Sequence, residues 1–405
     1  MQPQTPDPTL RPSPIPGITW NVFLLGLVSL CTDASSEMIY PLIPLFLTQT
    51  LRAPVAVVGL IEGLAEATAS IFKGLSGWFS DRVGRRRPLV IGGYALAAVT
   101  KPLLALAGGW PLVLATRVLD RIGKGLRGAP RDALIADSSP GELRGRAFGF
   151  HRSTDQIGAV AGPLLALPLL AAFHYNYRAL FVVAFLPAAL GVALLGAVRE
   201  TGPGARSGAP QEGFRWLGAA PVFRRFLGVA LLFALGNSSD VFLILRAQQL
   251  GLGAARIVLL FASFNLLYVF SAYPAGQLSD RLGRKRVVAA GWGLFAAVYL
   301  GFALAPASGW LWVLFPVYGV YMGLTDGVAR AFIVDLVPQQ NRATALGIHA
   351  MAVGLATFLA SAVAGLLWQK LGPPAPFFYG AALAAVAALR LALIRYPSSA
   401  RAPRP

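Results

Sequence analysis

The chain has 405 residues, of which 56% are hydrophobic and only 13% are charged, and its mean hydropathy is +0.62. Soluble domains carry about 25% charged residues, so this composition excludes a soluble protein and favours a helical membrane protein. A net charge of +18 would indicate nucleic-acid binding in a soluble protein. Here the basic residues cluster between apolar runs, where they keep loops in the cytoplasm, and no nucleic-acid partner is expected.

Apolar runs of about 20 residues, long enough to cross a bilayer as α-helices, recur along the whole chain. Short polar breaks separate the runs, and this pattern predicts twelve transmembrane helices. The predicted fold class is therefore an all-α polytopic membrane protein. The predicted spans are 18–47, 56–79, 88–108, 111–136, 147–172, 177–197, 226–247, 254–279, 287–306, 309–336, 343–369 and 375–395.

The segment between the sixth and seventh spans, RETGPGARSGAPQEGFRW, is rich in Gly, Pro and Arg, which predicts a boundary between two halves. Loops on this side carry most of the Arg and Lys residues, so the linker and both termini are predicted to be cytoplasmic, in the plasma or inner membrane. The Pro-rich N-terminal segment lacks an apolar core and is interpreted as a disordered tail, not a signal peptide. The predicted units are a cytoplasmic tail 1–17, an N-terminal six-helix bundle 18–198, a linker 199–225, a C-terminal six-helix bundle 226–396 and a cytoplasmic tail 397–405.

The two predicted bundles repeat each other in sequence. GWFSDRVGRRR, at 77–87, returns as GQLSDRLGRKR at 276–286. ALIADSSPGELRGRAFGFH, which ends at His151, returns as AFIVDLVPQQNRATALGIH, which ends at His349. Two repeated bundles with a substrate site between them are a common architecture of transporters.

The first repeated segment resembles motif A of the major facilitator superfamily, Gly-x-x-x-Asp-Arg-x-Gly-Arg-Arg. In that family the motif lies between the second and third helices and again between the eighth and ninth, as it does here. The resemblance covers nearly the whole chain and implies the family's fold, two pseudo-symmetric six-helix bundles. It also implies that the motif latches the outward-facing state and does not contact substrate. The gating positions are Gly77, Asp81, Arg82, Gly84, Arg85 and Asp137 in the first half and Gly276, Asp280, Arg281, Gly283, Arg284 and Asp335 in the second.

The fifth helix is similar to motif C of the family, which is associated with antiporters. Gly149, Gly158, Gly162 and Pro163 fit its Gly-x8-Gly-x3-Gly-Pro spacing, while the motif's last two glycines are replaced by alanine and leucine. Small residues at this spacing allow a close approach of helices, and the proline favours a kink. The resemblance implies export in exchange for protons.

The fourth helix is similar to motif B of the proton-coupled members, with Arg117 at the position of the motif's arginine. Asp120 stands where glutamine is usual, Arg121 stands where glycine is usual, and Lys124 adds a further charge. The basic stripe of this helix is interpreted either as a set of salt bridges to acids of the first two helices or as a wall that binds an anion. Its members are Arg117, Arg121, Lys124, Arg127 and Arg131.

Acidic residues in the first two spans are the main functional candidates, because ionisable groups inside a membrane are costly and usually face a cavity. Asp33 and Glu37 lie one turn apart and so share a face of the first helix. They are predicted to line a wet chamber in which one of them exchanges a proton, with Arg117 as the counter-charge; a static ion pair is the alternative. On the second helix, Glu62 is expected to be solvated near the outer mouth and Glu66 to lie deeper.

Polar residues in other spans complete the set of candidates. His151 and His349 are interpreted as residues of the inner gate, with pH sensing as the alternative because imidazole titrates near pH 6.5. Asp326 and Arg330 lie one turn apart and are expected to pair. On the seventh helix, Asn237 and Asp240 are expected to face the region of Asp33 by pseudo-symmetry. Further candidates for the cavity wall are Asn265, Tyr268 and Tyr40.

The sequence contains no Gly-x-x-x-x-Gly-Lys-Ser/Thr loop and no metal-site spacing, so no cofactor is expected and the proton gradient is the predicted energy source. We therefore predict a transporter, not an enzyme: a monomer in the lipid bilayer that exchanges protons for a small organic or amphipathic compound and exports it. Three alternatives remain open. They are uptake or exchange of a small anion, divalent metal-ion export through Asp33, Glu37 and Glu66, and a non-transporting receptor or scaffold.

Overall fold

The structure, a computed structural model, describes residues 13–83, 86–140, 143–200, 221–338 and 342–394. Nearly all of these residues are helical. The helices are α1 (Trp20–Ile39), α2 (Val55–Val83), α3 (Arg87–Ala105), α4 (Trp110–Asp137), α5 (Arg144–Ala172), α6 (Tyr177–Val183), α7 (Phe185–Leu195), α8 (Pro221–Gly236), α9 (Val241–Gln249), α10 (Ala254–Leu282), α11 (Arg284–Leu304), α12 (Leu311–Asp335), α13 (Arg342–Leu371) and α14 (Ala375–Leu393).

Eleven helical segments of the described part of the chain are long and apolar enough to cross a membrane. A further helix, α4, has 28 residues and is long enough to cross a membrane. It is not one of the eleven, because it contains too many charged residues. It packs against α2 and α3, which are both membrane-length apolar helices. The fourth predicted span is therefore a charged helix enclosed by apolar ones.

Three of the predicted spans are interrupted. The sixth is divided at Ala184 into α6 and α7. After α1, short 3-10, α-helical and π-helical turns that contain Pro41 and Pro44 carry the helical path to Thr50. In the seventh span, α8 ends before residues 237–240 and α9 follows them. These residues read Asn-Ser-Ser-Asp, whose short polar side chains compete for backbone hydrogen bonds and favour a break. The span predicted over 226–247 is thus present as one membrane-length segment, and its helix is broken near the middle.

The chain forms two compact units. The first contains α1 to α7 together with Gly253–Ala262, and the second contains α8, α9, the rest of α10 and α11 to α14. In the first unit, α1 packs against α5 and α7, while α4 packs against α2 and α3. Its core at one end of α1 contains Val22, Leu25, Val90 and Leu134, all fully buried.

The second unit is built around α11, which packs against α12 and α14, and around α8, which packs against α13 and α14. Aromatic rings fill its core. The ring of Phe233 on α8 stacks on Trp292 with a centroid distance of 4.6 Å and meets Phe295 edge-on at 5.0 Å. Tyr299 and Tyr318 extend the same cluster and are almost completely buried.

Candidate functional site

Helices α1 and α5 meet backbone to backbone at two glycines of the motif C-like pattern. A Cβ atom added to Gly158 would lie 2.6 Å from the carbonyl oxygen of Leu30 and 3.1 Å from the Cβ of Asp33. A Cβ added to Gly162 would lie 2.5 Å from another carbonyl oxygen of α1 and 2.9 Å from the Cβ of Glu37. The expected close approach is confirmed at these positions, and it seats both acids of α1 against α5. Gly149 has open space around it instead.

The Asp33 carboxyl group meets a second acid, Asp155, on α5. The two carboxyl groups are hydrogen-bonded to each other. Ser29, one turn before Asp33, donates from Oγ to Asp155 Oδ1 at 2.6 Å, and Arg152 donates from Nη1 to Asp155 Oδ2 at 3.3 Å. A hydrogen bond between two carboxyl groups requires a proton on one of them, because an ionised carboxylate only accepts. The sequence analysis did not pair these two acids.

Arg117 was predicted to pair with Asp33, but in the structure it pairs with Glu62 on α2. Its Nε donates to Glu62 Oε1 at 2.9 Å and its Nη2 donates to Oε2 at 2.7 Å, which is a two-pronged contact of the kind that guanidinium and carboxylate groups favour. Glu62 is 1% exposed and Arg117 is 6% exposed. The expectation that Glu62 is solvated near an outer mouth is therefore wrong: its charge is buried because Arg117 neutralises it.

Asp120 lies at the centre of the remaining charges of α4. Lys101, a residue of α3 that is 1% exposed, donates from Nζ to Asp120 Oδ1 at 3.1 Å. Arg117 and Arg121 reach the other carboxylate oxygen at 4.0 Å and 3.9 Å, and Arg121 also pairs with Glu66 at 2.9 Å. Lys101 was missed in the sequence analysis, although a lysine inside the apolar run AAVTKPLLA was a signal that could have found it.

The rest of the basic stripe of α4 is less uniformly paired. Arg131 donates to Asp132 at 2.8 Å, and Lys124 is exposed. The Arg127 guanidinium lies 4.1 Å from the centre of the Tyr94 ring. Its Nη1 atom is buried and has no hydrogen-bond partner among the described residues. Of the two interpretations of the stripe, salt bridges to acids of neighbouring helices account for Arg117 and Arg121 but not for Arg127.

The two histidines of the repeat have different surroundings. His151 on α5 is 5% exposed, and within the described part of the chain its Nε2 atom has no hydrogen-bond partner. It lies one turn before Asp155 and interacts electrostatically with it. His349 on α13 stacks on Phe226, with a centroid distance of 6.0 Å. The predicted gate or pH-sensing role stays a prediction for both.

The candidates of the seventh span lie in the break of that span. Tyr318 donates its hydroxyl hydrogen to Asp240 Oδ1 at 2.6 Å. Asn237 donates from Nδ2 to the Tyr321 hydroxyl at 3.4 Å. Both polar side chains are thus fixed by tyrosines of α12.

The candidates of the tenth span, Asp326 and Arg330, form the expected pair, with Arg330 Nη2 donating to Asp326 Oδ1 at 2.8 Å. The other oxygen, Oδ2, accepts from the hydroxyl group of Tyr268 on α10 at 2.9 Å. Asp326 is therefore held from two helices of the second unit.

The first copy of the gating motif is only partly described. Gly77, Asp81 and Arg82 lie in the last turns of α2, whereas Gly84 and Arg85 lie outside the described residues. The neighbouring Arg86 donates a hydrogen bond to Asp137. The carboxylate of Glu200 accepts the backbone N–H groups of Arg86 and Arg87, both at 3.0 Å.

The second copy of the motif is fully described. Gly283 has φ +90, a conformation that side-chain-bearing residues rarely adopt, and it makes the turn between α10 and α11. Arg284 pairs with Asp335 at 2.9 Å and approaches Asp280 at 4.0 Å. Gly276 and Arg281 lie on α10, and Arg281 is exposed. The gating role of both copies stays a prediction.

Comparison with known proteins places this geometry in a family. The family model described as Major Facilitator Superfamily matches residues 25–253 and 225–405. An uncharacterised MFS-type transporter of Methanocaldococcus jannaschii is 35% identical over 381 residues, which are 92% of this chain and 94% of that protein. A class C tetracycline resistance protein of Escherichia coli is 29% identical over 252 residues, 60% of this chain and 61% of that protein. Among solved structures, a peptide transporter, POT, superposes with a TM-score of 0.78 at 15% identity, covering 95% of this chain and 96% of that one.

Proposed function

We propose that this chain, which belongs to the Major Facilitator Superfamily, is a proton-coupled antiporter that exports a small organic or amphipathic compound from the cell. The family consists of transporters of small molecules in membranes, not of enzymes. Membership leaves the alternative of a receptor or scaffold without support. The coupling ion, the direction of transport and the class of substrate are the parts that the proposal adds.

One observation carries the proposal: the acids of α1 lie against the glycines of α5 whose spacing implies antiport. Because Gly158 and Gly162 have no side chains, Asp33 and Glu37 sit where α1 and α5 touch. A small displacement between these two helices would change the surroundings of Asp33. Proton binding at Asp33 would then favour one arrangement of the helices over another, which is what coupling requires.

Export is supported by the helix-five pattern and by one relative's name. The Escherichia coli relative is a tetracycline resistance protein, and removal of an organic compound from a cell is one way in which a transporter confers resistance. Its alignment covers 60% of this chain. Tetracycline is therefore a reasonable first probe, used here as a representative of amphipathic organic compounds.

The anion alternative draws less support than the sequence suggested. Its basis was the basic stripe of α4, but Arg117 pairs with Glu62 and Arg121 pairs with Glu66. Ion pairs of this kind remove most of the positive potential that would attract an anion. Lys124 remains exposed, so the variant Lys124→Gln tests the alternative: it should weaken the transport of anions and leave that of neutral compounds unchanged if the stripe binds substrate.

The metal alternative required Asp33, Glu37 and Glu66 to act together as oxygen ligands. Glu66 forms an ion pair with Arg121, and Asp33 forms a hydrogen bond with Asp155. Among the residues that the structure describes, no group of three or more His, Cys, Asp and Glu side chains could hold a metal ion. No observation on the described residues favours this alternative.

Proton flux in liposomes tests the proposal. The purified protein is reconstituted into vesicles that have an acidic lumen and contain a pH-sensitive dye. Tetracycline and a panel of neutral and cationic amphipathic compounds are then added outside. We expect at least one compound to cause the lumen to lose protons in proportion to its uptake, as exchange requires.

The matched variants are Asp33→Asn and Asp132→Asn, each of which removes one carboxylate. Asp132 lies on α4, is half-exposed and pairs with its neighbour Arg131. Asp33→Asn should abolish the proton flux while compound binding persists, and Asp132→Asn should retain the flux. Compound-driven proton flux that is equal in Asp33→Asn and in the unaltered protein would contradict proton coupling at α1.

A further inference from the structure

The hydrogen bond between Asp33 and Asp155 is the least expected contact of the first unit. Asp33 lies on α1 and Asp155 on α5, and both are in segments long and apolar enough to cross the membrane. Two ionised carboxylates at hydrogen-bonding distance would repel each other strongly where water is scarce. A single proton removes the repulsion and supplies the donor that the contact needs. The contact between the two carboxyl groups is therefore favourable when one proton is bound to the pair.

Charged groups surround the pair from α4 and α5. Lys124 and Arg127 on α4 are near enough to Asp33 to interact with it electrostatically. Arg131 on α4 and His151 on α5 interact in the same way with Asp155. Arg152 on α5 forms an ion pair with Asp155, and Ser29 on α1 donates a hydrogen bond to it. Four of these groups, Ser29, Arg131, His151 and Arg152, act on Asp155, and two act on Asp33, which favours the negative charge of the pair on Asp155 and the hydrogen on Asp33.

Two buried nitrogen atoms next to the pair have no partner among the described residues. Arg127 Nη1 belongs to a side chain that is 6% exposed, and His151 Nε2 belongs to one that is 5% exposed. Buried polar atoms without partners are rare, and each one needs an explanation. Arg127 interacts electrostatically with Asp33, and His151 interacts electrostatically with Asp155. A second arrangement in which Arg127 Nη1 gains an acceptor would account for the lack of one here.

We propose that Asp33 and Asp155 hold one proton between them and that this proton is the one exchanged for substrate. This inference rests on the proposed function and identifies its coupling site. On release, the O–H bond of Asp33 breaks, the proton passes to a water molecule to form hydronium, and the electron pair stays on the Asp33 carboxylate. On binding, a hydronium ion returns the proton and the hydrogen bond to Asp155 forms again.

Arg127 is the group that accommodates the deprotonated state. When Asp33 becomes a carboxylate, repulsion from Asp155 turns it away from α5 and towards the cation, and Nη1 of Arg127 then gains an acceptor. The exchange of one hydrogen bond for the other moves α1 relative to α4 and α5, which links proton release to a change in helix packing. Arg117 was predicted to be the counter-charge of Asp33, but its Nε and Nη2 atoms already donate to Glu62. The role proposed here belongs to Arg127 instead.

Infrared spectroscopy of the purified protein tests the inference without a known substrate, because a protonated carboxyl group has its own carbonyl stretching band. Difference spectra are recorded between acidic and alkaline buffers in H₂O and D₂O for the unaltered protein, Asp33→Asn, Asp155→Asn and Asp132→Asn. We expect the band of a buried protonated acid to be absent from both Asp33→Asn and Asp155→Asn. It should be present in Asp132→Asn, which matches them in charge.

The two single variants give different results if the proton belongs to one acid alone. In Asp33→Asn the amide can donate to the Asp155 carboxylate, and in Asp155→Asn the amide can donate to the Asp33 carboxylate, so both variants should fold, as thermal unfolding in detergent checks. A band that persists in Asp155→Asn assigns the proton to Asp33 alone and overturns the shared site. A band that persists in both variants overturns any role of this pair.

Arg127→Gln tests the second part of the inference. An opposite charge close to a carboxylate favours its ionised form by about 1–3 pH units. Removal of the Arg127 charge should therefore move the pH at which the band disappears upwards by about 1 unit or more, and Arg127→Lys should restore most of the shift. An unchanged midpoint in Arg127→Gln would show that Arg127 does not accommodate the ionised pair.

The inference and the proposed function can fail separately. If both variants lose the band but no compound drives proton flux in vesicles, the pair is a proton site in a protein that is not an antiporter. If compound-driven proton flux is found but Asp155→Asn keeps both the band and the flux, antiport stands and the shared site is wrong.

Discussion

The buried pair of Arg117 and Glu62 offers a direct measurement of what a charge costs inside the first unit. In Arg117→Met, the Glu62 carboxylate loses the two hydrogen bonds that it accepts from Arg117. Its negative charge is left without a counter-charge on a residue that is 1% exposed. Removal of one partner of a buried ion pair costs about 3–5 kcal/mol, whereas replacement of both partners by apolar residues is often neutral or stabilising. We expect Arg117→Met to lose stability by about this amount, and Glu62→Met/Arg117→Met to recover most of it.

Unfolding by a denaturing detergent, followed by the fluorescence of the tryptophan residues, gives the free energies for this double-mutant cycle. The pair of Arg121 and Glu66 provides the control, because the Glu66 side chain is 42% exposed. Solvent screens such a pair, so Glu66→Gln should cost only about 0–1 kcal/mol. If the double variant is as unstable as Arg117→Met, or if Glu66→Gln costs as much, then the buried carboxylate is not the origin of the loss.

Two further predictions concern glycines. Gly162→Ala would force a Cβ to within 2.5 Å of a backbone carbonyl of α1, so we expect the folded state to lose about 1–3 kcal/mol of stability from overpacking. Gly149 has open space around it, so Gly149→Ala should be neutral. Equal melting temperatures of the two variants in detergent would contradict the close contact of α1 and α5. Gly283→Ala places a side chain at φ +90, which should cost about 1–3 kcal/mol. Gly276 lies on α10, and a Cβ added there would have nothing within 4 Å, so Gly276→Ala should be neutral or slightly stabilising. If the two variants are equally destabilised, backbone strain at position 283 is not the cause.

The fold was predictable from the sequence because its signals are long and redundant. Apolar runs repeat along the chain, and the motif around Asp280 and Gly283 repeats the one in the first half. The charged helix α4 was also predicted as a span, although its own composition argues against one, because its length and its place among apolar runs left no other position for it. The break at 237–240 was missed, since four polar residues do not lower the hydropathy of the surrounding span enough to divide it.

The partners of the charged residues were predicted less well. Asp33 was matched with Arg117 because their charges are opposite and both lie in predicted spans, but pairing depends on how each helix is rotated and on the depth of each side chain. Hydropathy gives no information about the rotation of a helix or the depth of a side chain. One signal could have found the correct partner: Asp155 precedes Gly158 by three residues and so lies on the same face of α5, the face that the motif C-like spacing turns towards α1.

The buried charges of the first unit fall into two groups with different chemical freedom. In the first group, Arg117 holds Glu62 through two hydrogen bonds and Lys101 holds Asp120, and a proton added to the acid from outside such a pair would leave the cation without a counter-charge in a dry environment. In the second group, Asp33 is hydrogen-bonded to Asp155, and Nη1 of Arg127 is buried without a hydrogen-bond partner among the described residues. If the chain is the proton-coupled antiporter that we propose, the fixed pairs would keep α2, α3 and α4 together during transport, and the pair between α1 and α5 would be the site at which a proton leaves.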